Sequence, residues 1–218
     1  MFVVVHNVSS AQSDRQPKTD QGFDMANNCW SQFSFFGNKK VIDQIRKWDR
    51  ELAEATATSK DSECQSAVIR VFYAGLVDES DLGSKWVLPL PDIADPEEIG
   101  FLSAWVPPNK LQDHITALLF SLDKRVVVKN YYHTEDNVFG IRYTTAFDSK
   151  NIYSQEASVS EEDLGLSPAQ GSVEGVLGEL ITEREREIVE CLIDDVSGRS
   201  KKLRKALAYL DIDWDDYD

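Results

Sequence analysis

Hydrophobic and polar residues alternate with two different periods between residues 25 and 147. Short apolar runs with a period of two are typical of strands, and apolar stripes that recur every three or four residues are typical of amphipathic helices. Helices are predicted from about 39 to 55, with Val41, Ile45 and Trp48 on one face, and from 107 to 122. Strands are predicted at 29–37, 67–73, 99–105, 125–132 and 138–144.

This order of elements predicts an α+β fold. It matches a ferredoxin-like split βαβ sandwich, in which two helices pack on one face of an antiparallel sheet, here followed by a C-terminal helical extension. The predicted organisation has five parts. They are a disordered or non-native lead (1–24), the ferredoxin-like α+β domain (25–147), a polar linker (148–171), the helical extension (172–210) and an acidic aromatic tail (211–218).

The helical extension carries an apolar stripe between residues 173 and 196, with alternating charges on its other face. An amphipathic helix of this kind needs a surface on which to bury its stripe, because propensity alone rarely stabilises it. That surface is provided by the chain's own domain, by a second copy in a homodimer, or by another partner. An assembly function follows from the second and third alternatives.

Acidic residues outnumber basic ones, 38 to 23, which gives a net charge of -15. Residues 148–218 hold 8 basic and 18 acidic side chains, a net of -10. Binding to nucleic acid or to an anionic membrane requires clustered cations, so neither is an expected direct ligand. Basic proteins and nucleoprotein complexes are the expected partners.

Catalytic and metal-binding signatures are weak in this sequence. The cysteines and histidines lack the close spacings of zinc sites and disulfide frameworks. No phosphate-binding loop follows an apolar strand, and no apolar run approaches the roughly 20 residues of a membrane span. We therefore predict a cytoplasmic protein with reduced thiols, no metal, no cofactor and no enzymatic activity. The residues concerned are Cys29, Cys64, Cys191, His6, His114 and His133.

Five aromatic residues in the middle of the chain have two interpretations. Large aromatics contribute much of the buried area in most cores, which favours packing. Aromatics with a few polar groups also line ligand clefts, which would suit a small-molecule sensor or an enzyme. These residues are Trp30, Trp86, Trp105, Tyr131 and Tyr132.

Several short motifs resemble the YubB-like family of phage- and plasmid-borne proteins. They are the segment 27–30, Gly37, the segment 83–86 (Gly-Ser-Lys-Trp) and the segment 101–108, which ends Trp-Val-Pro-Pro. The resemblance covers roughly residues 25–147 and implies a ferredoxin-like domain and an origin in a mobile element. It implies no activity and no catalytic residues. The chain departs from the family pattern at Cys29-Trp30, where the aromatic residue often comes first.

The acidic tail suggests a function in binding. The simplest interpretation, without a binding function, is a solvated and disordered end. Carboxylates interleaved with aromatic rings also imitate phosphates and stacked bases, since nucleic-acid channels combine cations with aromatic platforms. We therefore expect an accessory protein that binds and inhibits a host nucleic-acid-handling or defence complex, of CRISPR or restriction type, as a DNA mimic. The candidate contacts are Asp211, Asp213, Trp214, Asp215, Asp216 and Tyr217, followed by Glu161, Glu162 and Asp163.

Overall fold

A six-stranded antiparallel sheet forms the centre of the protein in a computed structural model. The structure describes residues 27–57, 61–73, 82–90, 97–146, 148, 151–160 and 180–191. Its elements, in chain order, are β1 (Asn28–Phe36), α1 (Lys39–Ala57), α2 (Asp61–Tyr73), β2 (Lys85–Leu90), β3 (Glu98–Ala104), α3 (Asn109–Phe120), β4 (Val127–Thr134), β5 (Phe139–Ala146), β6 (Ile152–Val159) and α4 (residues 180–191).

The strands lie in the order β2-β3-β1-β4-β5-β6, so β1 is central and β2 and β6 are terminal. Successive side chains of a strand point to opposite faces. On β1, Phe33 and Phe35 point to one face and join a buried cluster with side chains of α1, α2 and α3. On β5, Ile141 and Tyr143 point to the other face and join Ile188 of α4. We call these the helical face and the α4 face.

The start of α1 is joined to the loop after α3 by hydrogen bonds. Asn38 caps the helix, because its Oδ1 accepts the backbone N–H of Lys40 at 2.8 Å. Asp123 accepts the backbone N–H of Asn38 at 2.8 Å and that of Arg125 at 3.0 Å. Burial raises the pKa of the Asp123 carboxyl, but the hydrogen bonds from Arg125 and Asn38 outweigh it and hold that pKa below its ordinary value.

The predicted two-helix ferredoxin-like sandwich is wrong. The sheet has six strands, and four helices accompany the described strands. Residues 67–73, predicted as a strand, belong to α2, where Val68 and Phe72 lie four residues apart and are both buried. Trp48 of α1 meets Phe72 edge to face, with 5.0 Å between ring centroids. The β-branched run therefore packs as a helix on α1, and the strand beside β3 comes from later in the chain.

Two terminal strands were missed by the sequence pattern. β2 contains Pro89, which argues against a central strand but is compatible with a terminal one. β6 lies inside the segment 148–171, which was predicted to be a polar linker. The prediction failed there because the sequence Ile-Tyr-Ser-Gln-Glu-Ala-Ser-Val has few apolar positions. Its pairing with β5 runs from Ile152 to Val159 and extends the sheet beyond the predicted domain boundary.

α4 covers part of the α4 face. Ile181, Ile188 and Val189 are each at most 6% exposed. The buried hydroxyl of Tyr143 donates a hydrogen bond to the Glu185 carboxylate, and Lys129 Nζ lies 2.8 Å from Glu185 Oε1. Burial, followed by the Glu185 charge, raises the pKa of Tyr143, so the phenol stays neutral. The apolar stripe of this helix was expected to be buried on the chain's own domain, on a second copy or on another partner. For residues 180–191, these contacts favour the chain's own sheet.

None of the described helices is long and apolar enough to cross a membrane.

Acidification should destabilise the protein partly through His114. Its ring stacks on Tyr73 with centroids 3.8 Å apart, and Nε2 donates to the Phe72 carbonyl at 2.9 Å. Burial lowers the pKa of His114, although the Phe72 carbonyl opposes this effect. The unfolded chain then binds more protons, so stability falls as the pH drops below about 6.5. Urea midpoints at successive pH values should show this slope, and His114→Gln should flatten it; an unchanged slope in that variant contradicts the assignment.

Candidate functional site

A β-bulge turns Trp86 out of the sheet. Lys85 pairs with Ala104 and Leu88 with Leu102, so Trp86 and Val87 together oppose the single residue between those partners. Val87 is fully buried, whereas Trp86 is 51% exposed. Its φ of 51° lies in the left-handed region, which is rare for a bulky residue.

The segment before the bulge is held against neighbouring elements. Gly83 has a φ of 87°, and a Cβ there would lie 2.9 Å from the backbone nitrogen of Lys110. Glycine is therefore required for the close approach to α3. Ser84 Oγ donates to the Ala104 carbonyl at 2.8 Å and fastens the start of β2 to the end of β3. The position of Trp86 is thus set by the backbone on both sides of it.

A tight turn presents Trp105 at the end of β3. The N–H of Val106 bonds to the Ala104 carbonyl at 2.8 Å, and Trp105 between them has a φ of 65°. The N–H of Trp105 itself bonds to the Asn27 carbonyl at 2.7 Å. The side chain is 48% exposed. A second tryptophan is therefore held by backbone hydrogen bonds in a conformation that costs about 1–3 kcal/mol.

The two tryptophans lie side by side. Their ring centroids are 5.9 Å apart and their planes are inclined by 34°. Lys85 Nζ lies 5.3 Å from the ring centroid of Trp105, a cation–π contact. We call Trp86 and Trp105 the tryptophan pair.

Two carboxylates of the β4–β5 turn are linked to the backbone of Trp105 through Asn27 and Asn28. Asn27, whose carbonyl accepts the Trp105 N–H, donates from its Nδ2 to Asp136 at 2.6 Å. The next residue, Asn28, donates from its side chain to Glu135 at 2.7 Å. Both carboxylates are in exposed residues. The tryptophan pair and these two negative charges therefore lie at the same end of the sheet.

Trp30 lies on the α4 face of β1. Its ring stacks on His133 of β4, with centroids 5.4 Å apart and an interplanar angle of 21°. His133 in turn stacks on Phe139 of β5 at 4.4 Å. Trp30 remains 38% exposed, so it ends this row of rings at a surface that solvent reaches.

The five aromatic residues of the predicted cleft do not form one cleft. Tyr132 points to the helical face, is 5% exposed, and donates to Glu156 at 2.7 Å. Tyr131 packs against the cluster beneath α4. Trp30 stacks on His133, and Trp86 and Trp105 contact one another as a ring pair. The predicted acidic contacts at 161–163 and 211–217 fall outside the described part of the chain.

The thiol of Cys29 is poorly suited to nucleophilic chemistry. It is fully buried in β1, and burial raises its pKa to about 11, although Ser31 and Ser103 act in the opposite direction. A thiol with this pKa is protonated at neutral pH, and the thiolate is the reactive form. Within the described ranges, no group of three or more histidine, cysteine, aspartate or glutamate side chains is placed to hold a metal ion.

Lys85, Glu135 and Asp136 are site residues that sequence reasoning missed. A local signal exists for Lys85, since it follows Gly83-Ser84 and precedes a tryptophan. The carboxylates give no such signal, because a polar turn between two strands is ordinary. Their relation to Trp105 depends on Asn27, which lies 108 positions before Glu135 and 109 before Asp136.

Removal of a ring of the tryptophan pair should cost little stability. Trp105→Gly loses a half-exposed side chain, but glycine adopts the positive φ without strain. The relief of this strain offsets the contacts that the ring loses, so we expect the free energy of unfolding to change by less than about 1 kcal/mol. By contrast, Trp48→Gly in the core should cost about 3–5 kcal/mol or more. Urea denaturation compares the two, and a loss at Trp105 as large as that at Trp48 would make Trp105 a core residue.

Comparison with known proteins finds no matching family model, no matching curated protein and no matching solved structure. The resemblance to the YubB-like family therefore stays a prediction.

Proposed function

We propose that the protein is an acidic binding protein that attaches to, and inhibits, a basic nucleic-acid-handling or defence complex of a bacterial host. The observation that carries the proposal is the tryptophan pair, about half exposed, on a chain with a net charge of -15. Tryptophan is enriched among the residues that contribute most to the affinity of protein interfaces. Exposed aromatic groups of this kind mark interaction surfaces.

The charge supports a basic protein surface as the partner. Excess carboxylates repel phosphates, so a nucleic acid is disfavoured as the direct ligand. The same carboxylates accelerate docking on a cationic groove and align the two surfaces. Glu135 and Asp136 add negative charge at the end of the sheet that carries the tryptophan pair. The pair then supplies the apolar contact that carries the affinity.

The direct test is to capture a basic host complex with the full chain, purify that complex, and measure its affinity by calorimetry. We expect Trp86→Ala with Trp105→Ala to weaken binding about 30-fold or more, since an interface tryptophan contributes about 2 kcal/mol or more. Leu118→Ala is the matched control, because Leu118 is an exposed apolar residue on α3. Equal affinities of the double variant and the wild type contradict the proposal.

Salt dependence tests the electrostatic part. The affinity should fall about tenfold between about 0.1 and 0.5 M NaCl, because exposed charges are screened over shorter distances as salt rises. A chain that ends at Leu210 separates the acidic tail from the tryptophan pair as the source of this dependence. An affinity that stays level with salt in the full chain contradicts the imitation of a polyanion.

A further inference from the structure

We infer that the tryptophan pair binds arginine side chains of the partner, with the guanidinium plane on the Trp105 ring in the place that the Lys85 ammonium occupies. The inference rests on the proposed function and names the chemistry of the contact. Lys85 Nζ, at 5.3 Å from the ring centroid, shows that this face of the indole accepts a cation. Lys85 is itself exposed and flexible, so a partner's cation can displace it.

The geometry favours guanidinium over ammonium. Guanidinium is planar, more weakly hydrated than ammonium, and stacks on aromatic faces. The two indoles contact one another and each is about half exposed, so a planar cation on the Trp105 ring can also touch Trp86. The Asp136 carboxylate, bonded to the side chain of Asn27, lies at the same end of the sheet and can accept hydrogen bonds from another cationic side chain of the same partner. An ammonium is compact and strongly hydrated, so it makes fewer contacts with the two rings.

The backbone keeps both rings in place before a partner arrives. Trp86 and Trp105 have φ values of 51° and 65°. The bulge holds the first against β3, and a backbone hydrogen bond joins the second to Asn27, the residue before β1. Unfavourable backbone conformations of this kind cluster at binding sites and are maintained by their surroundings. A preformed platform lowers the entropic cost of binding.

The test uses calorimetry with an arginine–serine peptide and a lysine–serine peptide of equal length and charge. The wild-type chain should bind the arginine peptide about fivefold more tightly, the equivalent of one exposed cation–π contact. Trp105→Leu should remove that preference. Lys85→Gln should strengthen arginine-peptide binding about threefold, because it vacates the ring face and removes a like charge.

The matched control for Lys85→Gln is Lys124→Gln. Lys124 Nζ lies 3.8 Å from the Phe120 ring centroid, and its loss changes the net charge equally, but Phe120 is only 8% exposed and offers no open face. It should leave the preference for arginine unchanged. Equal affinity for both peptides, or an equal gain in both lysine variants, overturns the arginine inference while the proposed function stands. Failure of both peptides and of the basic host complex to bind overturns both.

Discussion

Gly140→Ala should lower the free energy of unfolding by about 3 kcal/mol, at the upper end of the range for overpacked cores. A Cβ at Gly140 would overlap the ring of Tyr132, which lies across it from β4. The ring cannot swing aside easily, because Tyr132 is 5% exposed and its hydroxyl bonds to Glu156 at 2.7 Å. In a chain of this length the loss corresponds to a decrease in Tm of about 6–12 °C.

A double-mutant cycle identifies the cause of that loss. If the overlap with the ring is responsible, Tyr132→Ala should cost stability in the wild type but little in the Gly140→Ala background. Ser154→Ala, an exposed position on β6, is the control for an alanine on the sheet. Additive costs for Gly140→Ala and Tyr132→Ala contradict the close packing of the strand on the ring.

Arg142→Met should cost about 3 kcal/mol, within the lower part of the range for a broken buried ion pair. Arg142 is 7% exposed on the helical face of β5, and its Nη2 lies 2.8 Å from Asp113 Oδ1. This contact is an ion pair by distance and lacks the alignment of a good hydrogen bond. Nη1 donates to Gln112 Oε1 at 3.0 Å, and Nε lies 3.8 Å from Glu156. The substitution leaves these partners without the guanidinium.

The partial exposure of Asp113 and Glu156, 37% each, keeps the expected cost near the lower limit, because water reaches both carboxylates. Arg142→Lys retains the charge and loses the planar fork, so we expect an intermediate cost. Urea denaturation measures all of these variants. An Arg142→Met midpoint equal to that of the wild type would show that the guanidinium does not support the packing of α3 on the sheet.

The periodic middle of the chain predicts much of the central sheet and little of its borders. β1, β3, β4 and β5 lie where alternation places strands, and α1 and α3 where apolar stripes place helices. The prediction of a strand at residues 67–73 fails because a short β-branched run has the same composition in a strand and in a buried helix. Only the packing of Phe72 on Trp48 separates the two.

The contact between the two tryptophans could not be predicted from local sequence patterns, for a related reason. Trp86 and Trp105 meet because Lys85 pairs with Ala104, a register between segments 19 residues apart that periodicity does not encode. The sequence names both residues as aromatic candidates, but it also groups them with Tyr132, which is buried and bonded to Glu156. A bulge and a tight turn decide which rings reach the surface, and both depend on backbone conformations that are uncommon for tryptophan.

The most direct test of the account is to follow the indole N–H signals of the five tryptophans by nuclear magnetic resonance during titration with the arginine–serine peptide. We expect the signals of Trp86 and Trp105 to shift first and to saturate together, while that of the buried Trp48 stays in place. Shifts confined to Trp214 in the acidic tail, or to none of the five, would contradict the assignment of the tryptophan pair as the surface that binds the partner.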